Sequence, residues 1–247
     1  MKRGAVNSLL LVLALVLMQA CAWDITAAAP KSAAEPAAEA PLETPFFMRG
    51  FSLLEESQYP QVGYLVNRDG AIYGSGVLVS PVRVLTAGHC ADSVKPAWFV
   101  CGGREYRVEC VSLHPLYKIG DSMFVDLAII HIERCEVQPA TIIAKGYQYE
   151  RGQQLVAVGY GGGMKRRSNP DVLWYYGTLI EDPTVFKILP LDGTVWFGDS
   201  GGAIYDSSGV LVGIISSLGI KDGHLYENSA VRLDLFLDWI QEELQCN

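Results

Sequence analysis

The sequence is poor in positive charge and has no long basic stretch. Its 247 residues hold 19 Lys and Arg against 27 Asp and Glu, for a net charge of -8 and a pI near 5.0. Nucleic acid is therefore not expected as a partner, because nothing here would neutralise a run of phosphates. The longest basic run, Lys165-Arg166-Arg167, sits among Gly and Asn and reads as a solvated loop. None of the six cysteines forms a Cys-x-x-Cys pair, and their spacings are wide. That argues against a metal site, and no cofactor is expected. Long apolar runs are also missing. The one from Leu9 to Met18 is about ten residues, too short to span a bilayer as a mature helix. No long helical pattern interrupts the chain before its end.

What the N-terminus does carry is an export signal over residues 1–22. Lys2 and Arg3 precede the apolar run, and the small residues of Ala20-Cys21-Ala22 follow it. Two processing routes fit. Leu17-Met18-Gln19-Ala20-Cys21 resembles a bacterial lipoprotein signal, which would make Cys21 a lipidated first residue and give a membrane anchor. Cleavage after Ala22 would instead release a soluble product. Residues 23–49 are rich in Ala, Pro and Glu, lack apolar periodicity and read as a linker. A tether of this kind favours the lipoprotein route. The expected location is the outer membrane or periplasm, or alternatively the medium. Either route leaves five cysteines in the folded part, Cys90, Cys101, Cys110, Cys135 and Cys246. An oxidising compartment permits disulfides, but an odd count leaves at least one thiol unpaired or intermolecular.

From about Gly50 onward the signals are mostly β. Short runs of Val, Ile, Leu and aromatics are punctuated by Gly and Pro. They predict strands at 61–66, 71–73, 76–79, 82–85, 98–101, 106–111 and 127–132. A second batch is predicted at 154–158, 172–176, 185–188, 201–205, 210–216 and 230–233. Two such batches suggest barrels or a sandwich rather than a parallel sheet. Residues 235–244 carry Phe236, Ile240 and Leu244 at helical spacing and predict an amphipathic terminal helix that packs on the protein.

Three stretches carry chemistry. In Gly198-Asp199-Ser200-Gly201-Gly202 glycines flank a serine, so the backbone can turn sharply and its N–H groups can face a bound group. Such a serine needs a base, and the base needs an orienting group. In Leu85-Thr86-Ala87-Gly88-His89-Cys90 the imidazole of His89 follows an apolar strand among small residues. In Val125-Asp126-Leu127-Ala128 the carboxylate of Asp126 leads into an apolar run, where a charge needs a partner such as an imidazole N–H. His114 and His131 read as structural.

Taken together and in this order, the motifs resemble those of the chymotrypsin-like (trypsin-fold) serine peptidases. The resemblance runs from about Gly50 to the end. It implies an all-β fold of two six-stranded antiparallel Greek-key β-barrels with a C-terminal α-helix. The first barrel would take residues 50–145, with His89 and Asp126, and the second residues 146–247, with Ser200. It implies a serine endopeptidase acting on protein or peptide substrates. Ser200 would be the nucleophile, His89 the base and Asp126 its orienter, with the oxyanion hole formed by the N–H groups of Gly198 and Ser200. The alternative is a catalytically idle member of the fold that acts as a binding or adhesion lipoprotein.

The chain also departs from the family pattern. The usual disulfide partner of Cys90 is replaced by Gly74, so Cys90 is free or pairs elsewhere, with Cys101 or Cys110 as candidates and Cys135 left for Cys246. At the place of trypsin's pocket-floor Asp stands Thr194, followed by Val195, so a preference for Arg or Lys loses its physical reason. Ser217 and Gly219 are expected in the substrate-pairing strand and pocket wall. Asp199 matches the Asp that many members pair with a new N-terminus after proteolytic activation. No matching N-terminal sequence exists here, although Arg49-Gly50-Phe51 lies near the right distance. Asp199 therefore has no evident partner in the sequence.

Overall fold

The computed structural model describes residues 50–93, 95–119, 122–123, 125–169, 173–178, 185–190, 195–221 and 224–245. The export signal with Cys21, the linker, Thr194 and Cys246 lie outside them. The strands of the first half are β1 (Phe51–Leu53), β2 (Val62–Val66), β3 (Ile72–Ser80), β4 (Arg83–Thr86), β5 (Trp98–Cys101), β6 (Arg104–Leu113), β7 (Lys118–Ile119), β8 (Ser122–Met123) and β9 (Ala128–Ile132). Those of the second half are β10 (Gln154–Gly159), β11 (Arg166–Ser168), β12 (Leu173–Thr178), β13 (Val185–Pro190), β14 (Ala203–Asp206), β15 (Leu211–Lys221) and β16 (His224–Arg232). The helices are α1 (Gly88–Ser93) and α2 (Leu237–Gln245).

Strands β2-β3-β4-β9-β6-β5 close into a barrel, and β7 and β8 form a separate two-stranded ribbon. In the second half the order is β10-β12-β13-β16-β15-β14, and β14 pairs back onto β10 to complete a circuit of six antiparallel strands. The expected two six-stranded antiparallel sheets and terminal helix are thus present. Closure leaves few free edges, which suits a chain whose many short strands would otherwise expose unpaired N–H and C=O groups.

The packing follows the sequence pattern. Val77, Val79, Leu85, Leu127 and Ile129 of the first half share one apolar cluster with Leu155, Val158, Ala203 and Ile214 of the second. A second cluster fills the first barrel with Leu65, Leu78, Phe99, Ile130, Cys101 and Cys135. Helix α2 adds Leu237 and Ile240 to the shared cluster, joined by Phe236 just before it. Each such burial contributes roughly 1.5–3 kcal/mol. Its last turn is held by Arg83 of β4, whose Nε donates to the Glu243 carbonyl at 3.1 Å. A cation there satisfies a helix C-terminal oxygen and opposes the helix dipole.

Several local expectations change. The predicted strands 71–73 and 76–79 are one continuous β3. The run Lys165-Arg166-Arg167 is not a solvated loop. Lys165 is 4% exposed and Arg166 fully buried, and β11 begins at Arg166. Strand β1 precedes the first barrel in sequence but pairs with β11 on the second sheet, Phe51 opposite Ser168.

Candidate active site

Strands β4 and β9 are antiparallel neighbours, with Thr86 opposite Ala128. The chain leaving β4 and the chain entering β9 therefore emerge side by side. The first turns at once into α1 and carries His89; the second carries Asp126. His89 Nδ1 lies 2.8 Å from Asp126 Oδ2, and the His89 backbone N–H donates to Asp126 Oδ1 at 2.8 Å. Ser216 of β15 donates its hydroxyl to Asp126 Oδ2 at 2.6 Å. With three donors and 5% exposure, the carboxylate is fixed in position. Burial alone would raise the Asp126 pKa, but the bonds from His89 and Ser216 and the His89 charge hold it below the usual carboxylate value. For His89, burial acts against the charged form. The bonds and charges of Asp126 and Cys90 outweigh it and raise the imidazole above its ordinary 6.5.

Ser200 comes from the turn before β14. It lines the same cavity as His89, together with Ile72, Tyr73, Tyr160, Val195, Trp196 and Phe197. The Ser200 hydroxyl donates to the Ser216 carbonyl at 3.2 Å, while His89 Nε2 lies 3.5 Å from Cys90 Sγ. No carboxylate, lysine or arginine of the described residues lines this cavity.

The backbone of the serine turn is held from its far side. The Phe197 carbonyl accepts from the Gly162 N–H at 2.9 Å, and the Asp199 carbonyl from the Gly202 N–H at 2.8 Å. A trans peptide points its N–H away from its C=O, so these two bonds orient the N–H groups of Gly198 and Ser200. Among the described residues, neither of those N–H groups has a protein acceptor. Gly198 has a φ of 101°, and a Cβ there would meet the Tyr160 carbonyl at 2.6 Å. Glycine is required on both counts.

Ser75 on β3 joins the two halves. Its N–H donates to the Ser200 carbonyl at 2.7 Å and its hydroxyl to the Gly198 carbonyl at 2.6 Å. The same hydroxyl accepts from the Tyr160 N–H at 2.9 Å. Next to it, a Cβ at Gly74 would come within 2.7 Å of Cys90 Sγ and 3.3 Å of the Ser200 carbonyl.

Asp199 is 1% exposed and has a partner after all. Its Oδ2 pairs with Arg166 Nη2, and Arg166 Nε lies 3.3 Å from Oδ1. The N–H groups of Gly161 and Trp196 complete the set at 2.6 and 2.7 Å. The Arg166 guanidinium also packs 4.2 Å over the Phe51 ring. Phe51, near the place where the family's new N-terminus would arise, is thus a strand residue, and arginine supplies the cation.

A family model described as trypsin-like peptidase domain matches residues 74–214, more than half of the chain and all three motifs. The chain belongs to the trypsin-like peptidase domain family. Membership supports a peptidase function and protein or peptide substrates. A serine protease of Mycobacterium tuberculosis (strain ATCC 25618 / H37Rv) is 26% identical over 161 residues, 60% of this chain and 37% of that protein. The chain therefore spans well under half the length of this relative. Among solved structures, human heparin binding protein has a TM-score of 0.68 at 19% identity, over 80% of this chain and 97% of that one. VesB protease of Vibrio cholerae has a TM-score of 0.67 at 20% identity, over 79% and 67%. An inactivated protease paralogue of the scabies mite has 0.66 at 19%, over 79% and 99%. At these identities the likeness shows the fold.

Of the residues expected in this trypsin-like site, His89, Ser200, Gly198 and Val195 line one cavity, with Asp126 behind His89. Ser217 and Gly219 lie on β15, opposite Ser229 and Glu227 of β16. Thr194 is outside the described residues. Of the two alternatives left for Cys90, the structure has the free thiol: it meets His89 and Ser200 rather than Cys101 or Cys110. Sequence reasoning missed Ser75, Arg166 and the hydroxyl of Ser216. The Gly74-Ser75-Gly76 spacing was a usable signal for Ser75, since small neighbours admit a close approach. Arg166 had none, because a buried arginine in a basic run looks like its solvated neighbours.

Proposed function

We propose that the protein is a serine endopeptidase that cleaves peptide bonds through an acyl-enzyme intermediate. The observation that carries this reading is the fixed His89–Asp126 pair sharing a cleft with Ser200 and two oriented, unused backbone N–H groups. Ser200 Oγ turns from the Ser216 carbonyl toward His89 Nε2, gives up its proton there and attacks the scissile carbonyl. Asp126 holds the Nδ1 proton and stabilises the imidazolium. The N–H groups of Gly198 and Ser200 take the oxyanion; losing one such donor typically costs about 3 kcal/mol of transition-state stabilisation. His89 then protonates the leaving amine, and water activated by the same base releases the acyl group.

An extended substrate has a strand edge to pair with. β14 pairs with β15 only as far as Ile214, whereas β15 continues to Lys221. Residues from Ser216 onward therefore offer backbone groups on that side for β-type recognition. The apolar cleft favours an uncharged side chain at the cleavage site.

Activation by cleavage is unnecessary in this reading, because Arg166 supplies the cation for Asp199 and the serine turn is already set. The export signal, with lipidation at Cys21 as the favoured route, puts the enzyme in the cell envelope.

A fluorophosphonate probe tests the proposal. It should label Ser200 in the folded, uncleaved chain and fail on His89→Ala. Absence of adduct would favour the second reading, an idle binding protein. The bond from Ser200 Oγ to the Ser216 carbonyl is what favours that alternative.

A further inference from the structure

We propose that Cys101 and Cys135 form a disulfide that staples the first barrel. The two sulfurs lie 3.6 Å apart, and both residues are buried, at 0% and 1% exposure. Cys101 is the last residue of β5, and Cys135 follows β9 with its N–H held by the Pro81 carbonyl at 2.7 Å. In the barrel order β6 lies between β5 and β9. The link therefore ties together two chain segments that share no ladder of their own. Closing the pair to about 2.05 Å needs each sulfur to move by roughly 0.8 Å, within reach of side-chain rotation.

The other thiols of the described residues do not compete. Cys90 lies against His89 Nε2 and the Ser200 carbonyl, and Cys110 is exposed on β6 opposite His131. No other two sulfurs meet among the described residues. The family's usual staple beside the histidine is missing here, since Gly74 stands opposite Cys90. The proposed link would fasten the same barrel at a different point. It closes a loop that contains Asp126, the residue that orients His89.

The chemistry is a thiol–disulfide exchange. Each thiol gives up a proton, one S–S bond forms, and the two electrons reduce an oxidising disulfide, either oxidised glutathione or a disulfide oxidoreductase, to two thiols. Once folded, the pair resists exchange. Burial first, and then the Cys135 thiol, hold Cys101 well above its ordinary pKa, and a protonated, inaccessible thiol is a poor nucleophile. The bond must form during folding, in line with an exported chain.

The test uses the full chain, reduced, unfolded and refolded in a buffer of reduced and oxidised glutathione. It is then blocked with N-ethylmaleimide in denaturant and mapped by peptide mass spectrometry with fragmentation. The expected result is a Cys101–Cys135 link, with maleimide on Cys90 and Cys110. Maleimide on both Cys101 and Cys135 in soluble protein, or a link from either to another cysteine, overturns the proposal. A second readout is thermal. Reductant should lower the Tm of the refolded chain by about 10 °C and leave that of the Cys101→Ser/Cys135→Ser variant unchanged. An equal fall in both would overturn the staple. Neither readout requires catalytic activity.

Discussion

Replacing Arg166 by Met should damage stability and turnover together. Among the described residues the only cation of Asp199, which is 1% exposed, is Arg166, itself fully buried; its other donors there are two backbone amides. Met fills similar volume but leaves a buried carboxylate without a counter-charge. Breaking such a pair from one side costs about 3–5 kcal/mol, which lowers the Tm by roughly 10 °C in a domain of this size. The serine turn can escape part of that cost by swinging Asp199 toward water. Doing so breaks the bonds to Gly161 and Trp196 and turns the Gly198 and Ser200 N–H groups out of position. Loss of one oxyanion donor lowers kcat by about 10²–10³-fold, so kcat/KM on a peptide ester should fall by at least that much. Arg166→Lys keeps the charge but loses the two-nitrogen fork, and should fall in between. Arg166→Met with Asp199→Asn removes both charges and should recover most of the Tm. The assay is active-site titration with steady-state kinetics, alongside thermal unfolding. If Arg166→Met keeps kcat/KM within about twofold of the parent, Arg166 does not hold the oxyanion turn. If the Tm is also unchanged, the buried pair itself is refuted.

Activity should rise with pH along a limb on the alkaline side of 6.5, because the base form of His89 is required and its pKa is raised. Cys90→Ala removes one of the causes and should move that limb to lower pH; an unmoved limb would refute the Cys90 contact. The same raised pKa contributes stability that is fully present below pH 6.5 and lost as the pH climbs through the folded value. Asp126, with its lowered pKa, contributes stability above its ordinary value that is lost on acidification. Ser75→Ala should leave the carbonyl of Gly198 and the N–H of Tyr160 without their shared partner, costing about 1–3 kcal/mol. It should lower kcat more than it raises KM, and an effect on KM alone would refute its place behind the oxyanion turn. Cys21→Ser should abolish incorporation of labelled palmitate; incorporation that persists in the variant would refute the anchor at Cys21.

The sequence by itself determined the class of chain and named the candidate residues of the site. Short runs of Val, Ile, Leu and aromatics with Gly and Pro between them specify short strands. Such local patterns can be read directly, because they are properties of a few adjacent residues. His89 and Ser200 were legible for a similar reason: each sits in a short motif whose small neighbours are dictated by close packing, as Gly88, Gly198 and Gly201 show, while Asp126 stood out as a charge leading into an apolar run. Only the tertiary structure decided which distant groups complete the site. Ser216 supports Asp126 across 90 residues, Ser75 holds the Gly198 carbonyl across 123, and Arg166 meets Asp199 across 33. None of these pairs leaves a mark in local composition. Arg166 shows why. Its sequence surroundings are those of a solvated basic loop, and its burial comes from strand pairing with β1 and β10 beneath a turn whose carboxylate needs a cation. Desolvating an arginine is affordable only when a fixed opposite charge waits for it, and that charge becomes adjacent only when the second barrel closes.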